Sequence, residues 1–237
     1  CHLKQTLAQN AIMGKKAKAA AGPPPLDPKV AEAINLLKDP GTSSVESKEE
    51  ALEFIVGAAA GCDVIRMDAV SAGALDPLLN MIEVGDTEQM KESAVFALRQ
   101  LSSGNFLHVA YDNPSAIVAA RGVQRLVSLI STTSNTKAKE HGAATLCNLA
   151  TSNANRTSLV EEGAVGPLLL LVQLGTELEA VQAAFAIGGI AFAHKSNQES
   201  VQGAGGIESL RALQKRFPES PKVRQVSEYA LKVLTDS

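Results

Sequence analysis

Histidine and cysteine are the residue types of this chain best suited to binding a metal or acting as a nucleophile. The 237 residues include four histidines and three cysteines: His2, His108, His141, His194, Cys1, Cys62 and Cys147. No histidine has a carboxylate or a cysteine at metal-ligand spacing, so we expect no zinc site. The cysteines are too far apart for a disulfide framework or a zinc knuckle, and they suit a reducing, intracellular compartment.

One glycine-rich segment, from Gly203 to Gly206, has the composition of a phosphate-binding loop. It follows a predicted helix rather than a strand, and it lacks the Lys-Ser/Thr pair that contacts phosphate. No Ser-His-Asp arrangement can be assembled from the sequence. We therefore predict a protein that is not an enzyme and that has no catalytic, metal or cofactor site.

The secondary-structure elements that carry these residues can be predicted from an internal repeat in the sequence. Similar segments begin at Asn113, Asn155 and Asn197, 42 residues apart, and each leads into a small-residue hinge. The hinges are Arg121-Gly122, Gly163-Ala164 and Gly205-Gly206, with an earlier copy at Gly73-Ala74. The interval between the first two hinges is 48 residues, so six residues have been added there. We expect Asn and Asp ahead of the short helices to cap free amide groups.

A second pattern lies later in each unit, in residues 94–101, 142–149, 183–190 and 227–234. Apolar and small residues recur there at helical spacing, without the alternation typical of strands. Each unit therefore reads as a short helix, a hinge, a second helix, a turn and a longer third helix. We predict an all-α chain.

This pattern resembles the armadillo repeat over roughly residues 28–237. HEAT-type repeats are the nearest alternative, but their two-helix unit lacks the short first helix. The resemblance implies a right-handed α-solenoid with about four full three-helix repeats and a partial N-terminal one, because a single unit cannot bury its apolar face alone. The expected units are 28–62, 63–112, 113–154, 155–196 and 197–237.

In armadillo proteins the third helices line a groove that binds extended peptides, so the resemblance implies a protein-binding groove. Importin-α-like members repeat a Trp and, four residues on, an Asn; here only Asn148 matches, and the chain has no Trp. We expect neither an amide ladder nor binding of a basic import signal, but a ligand held mainly by apolar contact. The candidate groove residues are Gln89, Ser93, Phe96, Gln100, Lys137, His141, Asn148, Gln182 and Phe185.

Composition and charge exclude some classes of binding partner. Apolar residues make up 45% of the chain and aromatic residues 3%, which favours a core of Leu, Val, Ile and Ala. The net charge of −3 argues against a nucleic-acid-binding surface. No apolar run reaches the ~18 residues of a membrane span, so we do not expect an integral membrane protein. One predicted helix has an acidic face, interpreted as solvated surface: Glu46, Glu49, Glu50 and Glu53.

Two segments distinguish this chain from a regular array of armadillo repeats. Residues 1–27 form a predicted N-terminal arm and proline-rich linker without Asp or Glu in the first 26 positions, and Lys15, Lys16 and Lys18 make it basic. The six-residue insertion adds apolar side chains: Phe106, Leu107, Val109 and Tyr111. They either cover a neighbouring hinge or present a contact patch to a partner.

The sequence thus predicts a non-enzymatic protein-protein interaction scaffold, or a structural subunit of a larger complex, that uses groove, loop and arm. The alternative is a regulatory armadillo fragment of a larger multidomain protein, such as a ubiquitin ligase or a transport adaptor. We expect an intracellular, cytoplasmic location. The acid-poor, lysine-containing start makes the interior of an organelle, after removal of a transit segment, the alternative.

Overall fold

The computed structural model describes residues 27–38, 43–60, 62–103 and 112–236, and these ranges contain fourteen α-helices and no strand. The helices are α1 (Pro28–Lys38), α2 (Val45–Ala60), α3 (Asp63–Ser71), α4 (Leu75–Val84), α5 (Glu88–Ser102), α6 (Asn113–Ala119), α7 (Gly122–Thr132), α8 (Thr136–Leu149), α9 (Asn153–Glu161), α10 (Val165–Leu174), α11 (Glu177–Ala191), α12 (Lys195–Gly203), α13 (Gly206–Arg216) and α14 (Pro221–Thr235).

The helices repeat in threes and stack in parallel rows. Helices α3–α5, α6–α8, α9–α11 and α12–α14 each give a short first, a second and a longer third helix, while α1 and α2 take the places of a second and a third. Third helices α2, α5, α8, α11 and α14 pack in one row, and second helices α1, α4, α7, α10 and α13 pack in another. The predicted all-α solenoid is confirmed.

In each full repeat, the hinge between the first and the second helix contains a residue with a left-handed backbone conformation. Gly73, Gly163 and Gly205 have φ angles of 85°, 83° and 82°, a region that glycine enters at little cost. Arg121 holds the equivalent place with φ 60°. An L side chain is disfavoured there by roughly 1–2 kcal/mol, so this hinge is strained.

One continuous apolar core runs through all the repeats. Leu78, Leu126, Leu168 and Leu210 occupy the same position on successive second helices and are fully buried. They join a cluster that extends from Val30 to Leu234 and consists mainly of Leu, Ala, Val and Ile. The core therefore depends on small and aliphatic side chains at close helix-helix distances, as the composition predicts.

Three buried asparagines connect the last three repeats to the repeats before them. Each donates a hydrogen bond of 3.0 Å from its side-chain amide to the last turn of the preceding third helix. The pairs are Asn113 with the Leu101 carbonyl, Asn155 with the Leu149 carbonyl and Asn197 with the Ile190 carbonyl. These bonds satisfy carbonyls that have no partner within their own helix.

The same asparagines also contact the preceding first helix. The Asn113 and Asn197 amides donate to the carbonyls of Arg66 and Arg156, and the Asn155 side-chain oxygen accepts from the Ser115 hydroxyl. The expected capping is confirmed for Asp, because Asp112 is the N-cap of α6, but these asparagines are not caps, and Ser152 caps α9.

Two expected unit boundaries fall inside first helices. Helix α9 begins at Asn153 and α12 at Lys195, each two residues ahead of the expected starts at 155 and 197. The reason is that Ser152 and His194 are the N-cap residues there, which places both asparagines within the first turn.

Among the described helices, none is by itself both long and apolar enough to span a membrane. Helices α9 and α10 meet the length and composition criteria only as a pair, and they are bent by 77° where they meet.

Candidate functional site

Hydrogen bonds at the helix starts fix how the third helices align. Thr87, the N-cap of α5, donates to the Glu49 carboxylate on α2 at 3.3 Å. In the next repeat Asn135, the N-cap of α8, donates to the Glu92 carboxylate on α5 at 2.8 Å. Glu49 and Glu92 are therefore equivalent, which extends the third-helix register to α2.

We define the groove face as four equivalent positions on each third helix, one turn apart. From the first helix to the last they hold Glu46, Glu50, Glu53 and Gly57 on α2; Gln89, Ser93, Phe96 and Gln100 on α5; Lys137, His141, Ala144 and Asn148 on α8; Leu178, Gln182, Phe185 and Gly189 on α11; and Lys222, Val226, Tyr229 and Val233 on α14.

In the middle of the groove face, the side chains of α5 and α8 contact one another. The Phe96 ring stacks on the His141 ring with centroids 4.4 Å apart and planes at 11°. The Arg99 guanidinium donates to His141 Nδ1 at 2.9 Å and lies 3.7 Å from the Glu140 carboxylate. Because a guanidinium only donates, this nitrogen is an acceptor and the ring is neutral.

Electrostatics agree with a neutral His141. Burial, reinforced by the Arg99 charge, lowers the pKa of this imidazole from 6.5 to about 4, although Glu92 opposes the shift. Burial likewise raises the pKa of the nearby Cys147 thiol to about 12, so the thiol stays protonated and is a poor nucleophile. Neither group is prepared for acid-base or nucleophilic chemistry.

Most other polar side chains of this region also have partners within the protein. Asn148, the one residue that matches the asparagine of importin-like grooves, donates to the Ser102 hydroxyl at 3.0 Å. Lys137 lies 3.9 Å from the Glu92 carboxylate, and Gln89 donates to the Ser93 hydroxyl at 3.5 Å. These side chains satisfy each other instead of presenting a ladder of free donors.

Helices α11 and α14 give the groove face an apolar end. Leu178 is 51% exposed and Phe185 is 47% exposed, and the Phe185 ring lies 5.6 Å from that of Tyr229. Tyr229 also covers Gly188, where a Cβ atom would approach the tyrosine ring to 2.5 Å. A Cβ at Gly189 would meet only ordinary contacts, 3.6 Å from the Ala150 methyl, so a shallow notch lies there.

Helix α2 gives the opposite end of the groove face an acidic surface. Glu46, Glu50 and Glu53 are all exposed. Hydrogen bonds from its own backbone amide and from Ser44 lower the pKa of Glu46, which keeps this carboxylate ionised near neutral pH. The groove face therefore changes from acidic to apolar along the array.

The predicted site residues fall into two groups. All nine candidate groove residues lie on the third helices α5, α8 and α11, and Phe96 and His141 are in direct contact. The loop candidates and the arm candidates, by contrast, lie outside the described residues: Phe106, Leu107, Val109, Tyr111, Lys15, Lys16 and Lys18.

Sequence reasoning missed Leu178 and the part of the groove face on α2. A signal was available, because Lys48-Glu49-Glu50-Ala51 on α2 matches Lys91-Glu92-Ser93-Ala94 on α5. In both helices the Lys-Glu pair precedes a buried alanine and aliphatic core residues.

Of two clefts on the described surface, one lies away from the groove face and the other includes the groove residue Lys222. One of about 480 Å³ lies between α4 and α7, where Arg125 pairs with Glu83 at 3.0 Å. Another, of about 510 Å³, lies beside Phe217 and Pro218. In the ranges that the structure describes, no three His, Cys, Asp or Glu side chains are grouped to hold a metal ion.

Comparison with known proteins gives a match at the level of structure. No protein-family model matches the chain, and a search of curated proteins gives no match either. A designed armadillo repeat protein in complex with a (KR)4 peptide superposes with a TM-score of 0.77 at 24% identity, covering 87% of this chain and 82% of that one.

Two further designed proteins agree with this match. The designed armadillo repeat protein YIII(Dq)4CqI has a TM-score of 0.76 at 25% identity, covering 87% of this chain and 82% of its own. Computationally designed armadillo repeat proteins for modular peptide recognition give 0.76 at 25% identity, covering 86% of this chain and 81% of theirs. The repeated three-helix units and these superpositions show that this chain is an armadillo-type α-solenoid.

Proposed function

We propose that this protein is a non-enzymatic scaffold that binds an extended segment of a partner protein along its groove face. The observation that carries the proposal is the exposed apolar surface of Leu178 and Phe185, two turns apart on the same face of α11. Clustered apolar side chains on a surface otherwise rich in polar groups are typical of interaction sites.

Similar proteins support this use of the fold. One similar structure is a complex with a (KR)4 peptide, and others were designed for modular peptide recognition. The chemistry of this chain supports binding rather than catalysis, because the Arg99 guanidinium occupies His141 Nδ1 and the raised pKa of Cys147 keeps its thiol protonated.

The wider context of the binding is also a proposal. We propose that Phe106, Leu107, Val109 and Tyr111 of the inserted loop, together with the basic arm, add contacts to the same partner within a larger assembly. A regulatory armadillo region of a larger multidomain protein would use the same groove face. We propose an intracellular location, in the cytoplasm or, as the alternative, inside an organelle.

Peptide display on the full chain tests the proposal. Random 12-residue peptides are selected on the immobilised protein, and their affinities are measured by fluorescence anisotropy. We expect the double substitution Leu178→Ser and Phe185→Ser to weaken binding by at least roughly tenfold, as loss of apolar anchors does.

A matched control is available on the same repeat. Leu170 and Leu174 on α10 are 55% and 80% exposed but lie on a second helix, away from the groove face. Their replacement by Ser should leave binding within about twofold. Equal losses in the two double variants, or no selected peptide at all, would contradict the proposal.

A further inference from the structure

We propose that the groove face is polarised and that its partner segment is polarised to match, with basic residues against α2 and aliphatic or aromatic residues against α11 and α14. This inference rests on the proposed function and specifies the chemistry of the ligand.

The acidic end favours a basic ligand. Glu46, Glu50 and Glu53 are one turn apart on exposed positions of α2, and the fourth groove position there is Gly57. The lysine on this helix, Lys48, is buried away from the groove face and lies 3.5 Å from Asp86. Each carboxylate thus adds to one negative field, which attracts Lys or Arg side chains.

The far end excludes a uniformly basic ligand. Its exposed groove surface comes from Leu178 and Phe185, with Val226, Tyr229 and Val233 partly buried beside them. The charged groove residue of α14 is Lys222, a cation. Basic ligand residues would lose water there without finding a carboxylate on the groove face, whereas apolar residues gain burial.

The middle of the groove face connects the two ends without strong selectivity. Asn148 and the Phe96–His141 pair already have partners within the protein, and the exposed Lys137 lies 3.9 Å from the Glu92 carboxylate. A ligand residue that crosses α5 and α8 therefore meets satisfied polar groups and a stacked ring pair. We expect this central part of the ligand to tolerate many sequences.

Helix spacing sets the length of the ligand. From α2 to α11 there are three helix-to-helix steps. At about 8–10 Å for each packed pair, they span roughly 24–30 Å. An extended chain rises about 3.3 Å per residue, so roughly eight residues separate the basic group from the apolar group.

Synthetic peptides test the polarity. Two carry Lys-Arg-Lys at one end and Leu-Ala-Ala-Phe at the other, separated by eight Gly, Ser and Asn residues, in the two possible orders. Two controls carry the basic group, or the apolar group, at both ends. We expect one of the polarised peptides to bind the full chain at least roughly tenfold more tightly than either control in fluorescence anisotropy.

Substitution of the carboxylates locates the basic end. The triple variant Glu46→Gln, Glu50→Gln and Glu53→Gln should weaken the polarised peptide by roughly tenfold and reduce its salt dependence. The matched control removes the same charge from exposed positions on first and second helices, away from the groove face: Glu161→Gln, Glu199→Gln and Glu208→Gln. It should leave the affinity within about twofold.

The outcomes separate this inference from the proposed function. If the peptide with two apolar ends binds as tightly as the polarised one, and the Glu→Gln triple variant changes nothing, the polarity is wrong although the groove still binds. If the Leu178→Ser and Phe185→Ser substitutions also have no effect, the proposed function fails as well.

The basic residues Lys15, Lys16 and Lys18 are the alternative ligand for the acidic end that the experiment must distinguish from a partner. Full-length protein with Lys15→Gln, Lys16→Gln and Lys18→Gln should bind the polarised peptide as the parent does. An affinity more than threefold higher in this variant would overturn the assignment to a partner and give the acidic end to residues 1–26.

Discussion

The junction between α5 and α8 and the junction between α11 and α14 are built on the same backbone but with opposite chemistry. At the first, Arg99, Glu140 and His141 form a polar network, and a ring pair stacks above it. At the second, a tyrosine ring lies directly on Gly188 and tilts against Phe185.

This difference explains where ligands have access. In the polar junction, donors and acceptors satisfy each other, which orders the helices but leaves few groups for a partner. In the apolar junction, small residues let the helices approach, and the displaced aromatic side chains remain on the surface. The groove face is therefore most available for binding where packing dominates the junction, although the Ser220 hydroxyl at the N-cap of α14 also donates to the Glu177 carboxylate of α11.

The largest expected effect tests whether the difference between the two junctions is confined to the groove face and leaves the buried core unchanged. Leu168 and Leu210 are fully buried at the same second-helix position of adjacent repeats. Truncation of either to Ala should lower the free energy of unfolding by roughly 2–5 kcal/mol, through lost burial and a cavity. Urea denaturation measures this effect, and the exposed Leu170→Ala on α10 is the control, expected within ~0.5 kcal/mol.

A smaller effect on stability is expected at two adjacent glycines of the apolar junction, where the same substitution should have opposite results. Gly188→Ala should destabilise the fold by roughly 1–3 kcal/mol, because the new methyl overlaps the Tyr229 ring. Gly189→Ala should instead stabilise α11 by up to ~1 kcal/mol, since its methyl has room and Ala favours helix. Equal effects of the two substitutions on the denaturation midpoint would show that the tyrosine does not hold this junction.

In the polar junction, Asn148 is expected to act on stability rather than on binding. Asn148→Ala removes the hydrogen bond to Ser102 and should cost about 0.5–1.5 kcal/mol in chemical denaturation. Peptide affinity should stay within about twofold of the parent. A tenfold loss of affinity with unchanged stability would mean that this amide faces the ligand.

The smallest expected effect is the change in the free energy of unfolding with pH that His141 causes at the junction between α5 and α8. His141 has a pKa of about 4 in the folded state and near 6.5 in the unfolded state, with Arg99, Lys137, Glu92 and Glu140 around it. Between these values the unfolded chain binds more protons, so stability falls as the pH decreases from about 6.5 to about 4. The slope should stay well below ~1.4 kcal/mol per pH unit, because solvent screens this partly exposed ring.

His141→Gln is the matched comparison for this titration. The difference in unfolding free energy between parent and variant, followed from pH 7 to pH 4, isolates the imidazole from the carboxylates. A difference that does not change with pH would contradict the lowered pKa.

Sequence patterns predicted the repeats because the information is local. The 42-residue spacing, the hinge glycines and the small-residue third helices each reflect short-range constraints on φ angles and packing. Arg121 shows the limit of this approach: its hinge was recognised from the register, although the residue itself does not favour a left-handed conformation.

The groove face was harder to predict because its character depends on contacts between repeats. Nothing in the spacing of Phe96 and His141 indicates that their rings stack, since the residues belong to different units. The acidic face of α2 is predicted as solvated surface, and Glu46, Glu50 and Glu53 are indeed exposed. That these positions continue the groove face follows only from the alignment of α2 with the other third helices. The asparagine side chains were expected as caps, yet their partners are carbonyls of the preceding repeat.

Those asparagine bonds also bear on how the solenoid would respond to tension. Each amide connects one repeat only to its predecessor, so a force applied to the two ends loads these connections in series. The last repeat has the same connection through Asn197 and, in addition, internal bonds from Gln198 and Gln202 of its first helix to the Val233 and Leu234 carbonyls. Under force the molecule should therefore unfold in discrete steps, with one repeat extending at a time.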